Sequence, residues 1–266
     1  MTEELMISAI CWELQGNVSV EFAHENDLYF FCPDQRCLAE VIPAKKKNYF
    51  FRAPQSHASG CRNEKKKTES GSLSGVRKQF AADEPVSVVP SHLGKLPKQD
   101  KKSRPSVEQM RTLAIQVRTS PIQHPGTLEE VIDAWHRMSI NKRHSTPLDI
   151  GGQALNYFSA FAAFSTLTDD VDKLTTGPHI AFGDAKVNLF KGDYYVKSLC
   201  KFKDHTPAKP LIFRVRQGHS LFNELKDGQT VSLFVRGPVS IRSAERNSVD
   251  LQCRDAYSGI VVRPKN

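Results

Sequence analysis

Between Phe31 and Cys61 the chain carries two close pairs of metal-binding side chains. Cys32 and Cys37 stand in Phe-Cys-Pro-Asp-Gln-Arg-Cys; nineteen residues later, His57 and Cys61 stand in His-Ala-Ser-Gly-Cys. Each pair lies on a short turn, so the two can converge into a tetrahedron with sulfur about 2.3 Å and nitrogen about 2.0–2.1 Å from a zinc ion. Four protein ligands leave no position for water. The expectation is one structural zinc per chain, bound by Cys32, Cys37, His57 and Cys61. Val41–Ala44 and Asn48–Phe51, separated by Lys45-Lys46-Lys47, read as the hairpin between the pairs. A segment of about sixty residues has little core of its own, and structural zinc supplies about 10–16 kcal/mol of coupled folding energy.

This element resembles the zinc ribbon at the start of CoiA-like competence proteins. The residues that carry the resemblance are Phe31-Cys32-Pro33, Cys37, Phe50-Phe51 and His57…Cys61, about thirty residues of the chain. The first thiol pair is spaced by four residues where such ribbons usually have two, and Arg52-Ala53 stands where a histidine often follows the aromatic. In that family a nuclease-like domain follows the ribbon. Here Asp184-Ala185-Lys186 and Glu224-Leu225-Lys226 lack a second acid on a predicted strand. The resemblance therefore implies the ribbon and not the activity.

Charge is regional. The 266 residues carry a formal +8, yet residues 1–31 hold six acids and no Lys or Arg, while 62–105 hold eleven basic and five acidic side chains. That second stretch is rich in Lys, Ser, Gly and Pro and poor in aromatics. Such a composition buries too little apolar surface to offset the entropy of ordering it. It reads as a flexible basic linker, 62–105, after a zinc ribbon domain, 1–61.

Beyond it, Ser106 is placed to cap a helix running to about Thr119. Thr127-Leu128-Glu129-Glu130 is a capping box for a helix through about Ser139. Another helix is expected from about Gln153, with Leu155, Phe158 and Ala162 on one face. After Pro178 the pattern changes to strands: 180–190, 194–202, 211–216, 230–235, 249–253 and 260–262, with a short helix at 220–226 between the third and fourth. Three strands, a helix and more strands is the order of a small OB-type barrel. The expected fold class is α+β, with residues 106–266 forming a helical plus OB-like β-barrel domain.

No apolar run approaches the roughly 20 residues needed to span a membrane. The acidic start, MTEELMISAI, lacks the basic residues of a secretory leader. Six cysteines in a chain this long do not make a disulfide scaffold, so a reducing cytoplasm is expected; Cys11, Cys200 and Cys253 read as small buried residues. There is no phosphate-binding Gly-x4-Gly-Lys loop, nucleophile elbow or His-Glu-x-x-His helix. Binding is better supported than chemistry, and no catalytic residue is assigned. Lys45, Lys46 and Lys47 at the hairpin tip, with Lys201, Lys203, Arg214, Arg216 and Arg236 on the later strands, are candidates to neutralise phosphates. Tyr194 and Phe202 are candidate stacking surfaces for single-stranded DNA or RNA. The function expected is that of a nucleic-acid-binding accessory protein, linked to competence, mobile elements or genome defence only by the ribbon's analogy. The alternatives are a protein-interaction adaptor and a divergent nuclease.

Overall fold

In the computed structural model, strand β1 (Ser8–Cys11) returns as β2 (Gly16–Ser19) through a turn in which Gln15 takes a positive φ. The chain then turns into helix α1 (Val20–Glu25) because Ser19 caps it, its hydroxyl accepting from the Phe22 amide at 3.3 Å. The alternation of Asn17–Phe22 reads as a strand throughout, yet residues 20–22 are helical. β3 (Phe30–Phe31), β4 (Glu40–Lys45) and β5 (Tyr49–Arg52) complete an antiparallel sheet of order β2-β1-β3-β4-β5. Helix α2 (Val107–Gln116) carries the Ser106–Gln109 capping box. Its buried stripe, Met110, Leu113 and Ala114 with Val117 beyond its end, packs on Ile10 and Phe31. That spacing of three and four residues puts all of them on one helical face.

The structure describes residues 5–64, 89–96, 98–167, 174, 177–202, 208–218, 220–237, 239–243, 248–251 and 256–265. These divide into two compact units, one within Met1–Ser91 and Leu96–Pro125, the other within His92–Lys95 and Gly126–Asn266. The boundary expected at 105/106 thus falls near 125/126, because the stripe of α2 is buried in the first unit. Of the expected linker, 65–88 and Pro97 lie outside the described residues. The described remainder is held in place. Leu96 is buried with Cys32 and Val41, Lys101 pairs with Asp27 at 2.7 Å, and Arg104 pairs with Glu40. Glu13, 3% exposed, accepts from the amides of Tyr29 and Lys102 at 3.0 and 3.4 Å.

In the second unit a small sheet of order β7-β6-β8-β9 is built from β6 (His92–Leu93), β7 (Pro125–Gly126), β8 (Pro147–Ile150) and β9 (Gln153–Asn156). Gly151 and Gly152, at φ +63° and +83°, make the turn between β8 and β9. Two consecutive positive φ values favour a tight hairpin, so the helix expected from Gln153 is a strand instead. Helix α3 (Leu128–Arg137) starts at the expected capping box, and α4 (Ile140–Ser145) follows, capped by Ser139.

The larger sheet joins β10 (Phe161–Ala163), β11 (Ile180–Phe190), β12 (Asp193–Phe202), β13 (Lys209–Val215), β14 (Thr230–Arg236), β15 (Val239–Ser243), β16 (Ser248–Leu251) and β17 (Gly259–Pro264). Its pairing order is β15-β16-β13-β12-β11-β14-β17, with β10 parallel to β11. The path is open: among the described residues no pairing closes it into a barrel. A short 3-10 helix, Ser220–Glu224, stands where a helix was expected between β13 and β14. Alternate residues build the inner core, among them Ala185, Val187, Val196, Leu211, Phe213, Val231 and Leu233. Gly183 shares that parity and leaves room for Phe164: a Cβ there would meet the Phe164 ring at 2.3 Å. Since Phe164 is itself fully enclosed, we expect Gly183→Ala to lower stability by about 1–3 kcal/mol in chemical denaturation, the usual range for overpacking. Among the described residues no helix is long and apolar enough to cross a membrane.

Candidate metal centre and basic sheet face

Strand β3 delivers Cys32, whose amide extends the β3–β4 ladder by donating to Ala39 O at 2.8 Å. The chain then turns sharply. The amides of Cys37 and Leu38 both donate to Asp34 O, at 2.9 and 3.1 Å, and Leu38 takes φ +48°. After β5, a second turn donates the Cys61 amide to Ala58 O at 3.0 Å. The Asp34 carboxylate links the turns, accepting from the amides of Arg36 at 3.0 Å and Arg62 at 3.4 Å. The Arg36 amide is the main influence holding its pKa below the ordinary value.

These two turns bring all four expected ligands together. The sulfurs of Cys32, Cys37 and Cys61 and a ring nitrogen of His57 lie within 4.8 Å of one another and can hold one metal ion. Cys32 Sγ is 3.7 Å from Cys61 Sγ; His57 Nδ1 is 3.3 Å from Cys37 Sγ and 3.8 Å from Cys61 Sγ. N–H donors face the sulfurs: the Ala58 amide on Cys37 at 3.3 Å, the Asn63 amide on Cys61 and the Asn63 side chain on Cys32, both at 3.4 Å. Such donors stabilise thiolates. Without a cation, burial pushes the Cys61 thiol up to about 12, raises that of Cys32 and lowers the pKa of His57. A bound cation would therefore displace thiol protons and meet a neutral imidazole. The sulfurs of Cys32 and Cys61 also belong to the apolar cluster of the first unit, with Val18, Phe30 and Phe51. That segment has more core than its length suggested.

No protein family, curated protein or solved structure matches the chain.

The candidate phosphate-binding residues are scattered. Lys45, Lys46 and Lys47 are exposed at the β4–β5 tip, where the Lys45 ammonium donates to the Tyr49 hydroxyl at 3.0 Å. Lys201 is exposed on β12, and Lys203 lies outside the described residues. Arg214 is exposed on β13 but ion-paired to Asp193; Arg216 is exposed just beyond the strand. Arg236 is half-buried beside Gly259, at the opposite end of β11 from Phe190. It is not part of the β12–β13 patch.

The two expected stacking rings face the wrong way. Tyr194 packs on Phe222 at 4.9 Å against the core, and Phe202 is fully buried there against Phe164. Both share their parity on β12 with Val196, an inner residue, and that parity was readable. Of the other lone cysteines, Cys11 is buried, Cys200 half-buried, and Cys253 lies outside the described residues.

Residues not singled out for binding in the sequence, Lys186, Asn188, Tyr195 and Lys197, join Arg214 on the outer face. Lys186 of β11 stands directly opposite Lys197 of β12, and Asn188 opposite Tyr195, which in turn stands opposite Arg214 of β13. Both lysines are exposed, and among the described residues neither ammonium has an ion-pair partner. The alternation that identified the strands also places these side chains on one face.

Proposed function

We propose that the chain is a nucleic-acid-binding protein whose first unit is held by a structural zinc ion. The metal identity is supported by the donor set and its dimensions. Regular tetrahedral zinc sets sulfur–sulfur edges of about 3.8 Å and sulfur–nitrogen edges of about 3.5 Å. The 3.7 Å separation of Cys32 and Cys61, and the 3.3 and 3.8 Å separations about His57, fit that frame. Three thiolates and an imidazole, all from the protein, suit structure rather than catalysis. Its resemblance to the CoiA-like ribbon belongs to this reading.

The observation that carries the binding reading is the Lys186–Lys197 pair. Like charges directly opposite on neighbouring strands destabilise a sheet, and a bound polyanion would remove that cost. Lys201 extends the positive face, while Asp184 is paired to Lys265 at 2.7 Å and Asp193 to Arg214. The strand order supports an OB-type unit. β11, β12 and β13 form a meander, a short helix follows, β14 returns to pair with β11, and β17 pairs with β14.

The test is charge reversal. Lys186→Glu with Lys197→Glu should weaken binding to DNA and RNA of any sequence. The slope of log affinity against log salt should fall by about one for each phosphate contact removed. Unchanged affinity and slope with an intact fold would reject this face as the nucleic-acid surface and favour a protein partner.

A further inference from the structure

The outer face of the large sheet is aromatic at both ends of β11, and among the described residues only one end is covered. At its start, Phe182 and the neighbouring Phe234 lie under Trp135 of α3, with ring centroids 5.0 and 6.1 Å away. At its other end, Phe190 is 59% exposed. The β11–β12 turn at Lys191 and Gly192, φ +50° and +84°, is a tight hairpin that holds this end of the strand in register. Tyr195 meets Phe190 edge to face at 6.3 Å. Two cations lie against the rings: Lys191 Nζ is 5.4 Å from the Phe190 centroid, and the Arg214 guanidinium, which also pairs with Asp193, is 5.9 Å from that of Tyr195. Lys197 stands one inward-facing residue beyond Tyr195 on β12, with Lys186 opposite it on β11.

An occupant of this surface must offer flat apolar faces and negative charge together. Single-stranded nucleic acid does so, because its bases are free to stack while its phosphates meet the lysines; a duplex hides its base faces. We propose that Phe190 and Tyr195 form a base-stacking platform for single-stranded nucleic acid. This rests on the binding reading above and adds the strandedness and the residues that set it.

The experiment compares the full-length protein with the double variant Phe190→Ala, Tyr195→Ala. The probes are a labelled oligodeoxythymidylate and a blunt duplex of the same length. One stacked base contributes enough to binding that its loss should lower single-strand affinity about 5- to 150-fold, while duplex affinity should change less than about twofold. Phe190→Trp should retain single-strand binding, and its fluorescence should be quenched by the oligonucleotide. The exposed ring of Phe190 contributes little to the core, and an unchanged melting temperature confirms that the variant keeps its fold. Equal loss for both probes, or loss for neither, overturns the platform. If charge reversal at Lys186 and Lys197 still weakens binding in that case, the nucleic-acid reading stands without it. Absence of binding by the unaltered protein removes both. Binding of phosphatidylserine vesicles that needs Phe190, without oligonucleotide binding, would overturn the proposal in favour of a membrane surface.

Discussion

Protein purified without chelator is expected to carry one zinc ion per chain, and removing it is expected to unfold the sheet around β3–β5. The expected loss is large because Cys32 and Cys61 lie within the apolar cluster of the first unit. Removing the ion leaves thiols in place of its bonds, and those thiols bind protons rather than one another's partners. Zinc-dependent folding energies of about 10–16 kcal/mol in small peptides set the upper limit. The Val18–Phe30–Phe51 packing retains part of the structure here. Cys37→Ser should act in the same direction, since it replaces one of the four candidate ligands, the sulfur faced by the Ala58 amide, with a poor zinc ligand. Metal analysis by plasma emission gives the stoichiometry, and less than half an equivalent in fresh protein would contradict the site. Hydrogen exchange locates the damage. Amides of β3–β5 should lose protection, while those of the β11–β12 and β11–β14 ladders should keep it.

Phe202→Ala should lower the stability of the second unit by about 3–5 kcal/mol, the usual cost of emptying a buried aromatic site. Its ring is fully enclosed and meets Phe164 edge to face at 5.9 Å. Phe164 in turn fills the space above Gly183, so little freedom remains for neighbours to close the cavity. A thermal or denaturant melt followed by aromatic circular dichroism measures it. A change below about 1 kcal/mol would mean that Phe202 is not the core residue described.

Local chemistry was legible in the sequence, and long-range partnership was not. The Cys/His quartet that could hold a metal was readable because each pair lies on one turn, and two turns need only one hairpin to meet. Strands β11–β14 could be read because Val187, Val196, Phe213 and Leu233 alternate with outward polar residues such as Lys186, Asn188, Lys197, Arg214 and Ser232. Helix α3 announced itself through Thr127 and Glu130. Helix α1 was hidden: Val18, Val20 and Phe22 alternate like a strand, and only the Ser19 cap decides otherwise. β1 was not read at all. Nor could the stripe of α2 show that it belongs with Ile10 and Phe31, about a hundred residues earlier in the chain. Two adjacent tyrosines show how narrow the margin is. Register places Tyr195 opposite Arg214 and Tyr194 opposite Val215, and a slip of one residue exchanges their faces.

The chain's route through its two units constrains inheritance. It passes from the first unit to the second at residue 92, returns at 96, and leaves again at 126. No single recombination point in the coding sequence can therefore exchange one unit and leave the other whole. A break near residue 61 separates Ile10 and Phe31 from α2, and one at 105/106 additionally separates β6 from its partner β8. Exchange of either unit intact therefore requires more than one junction.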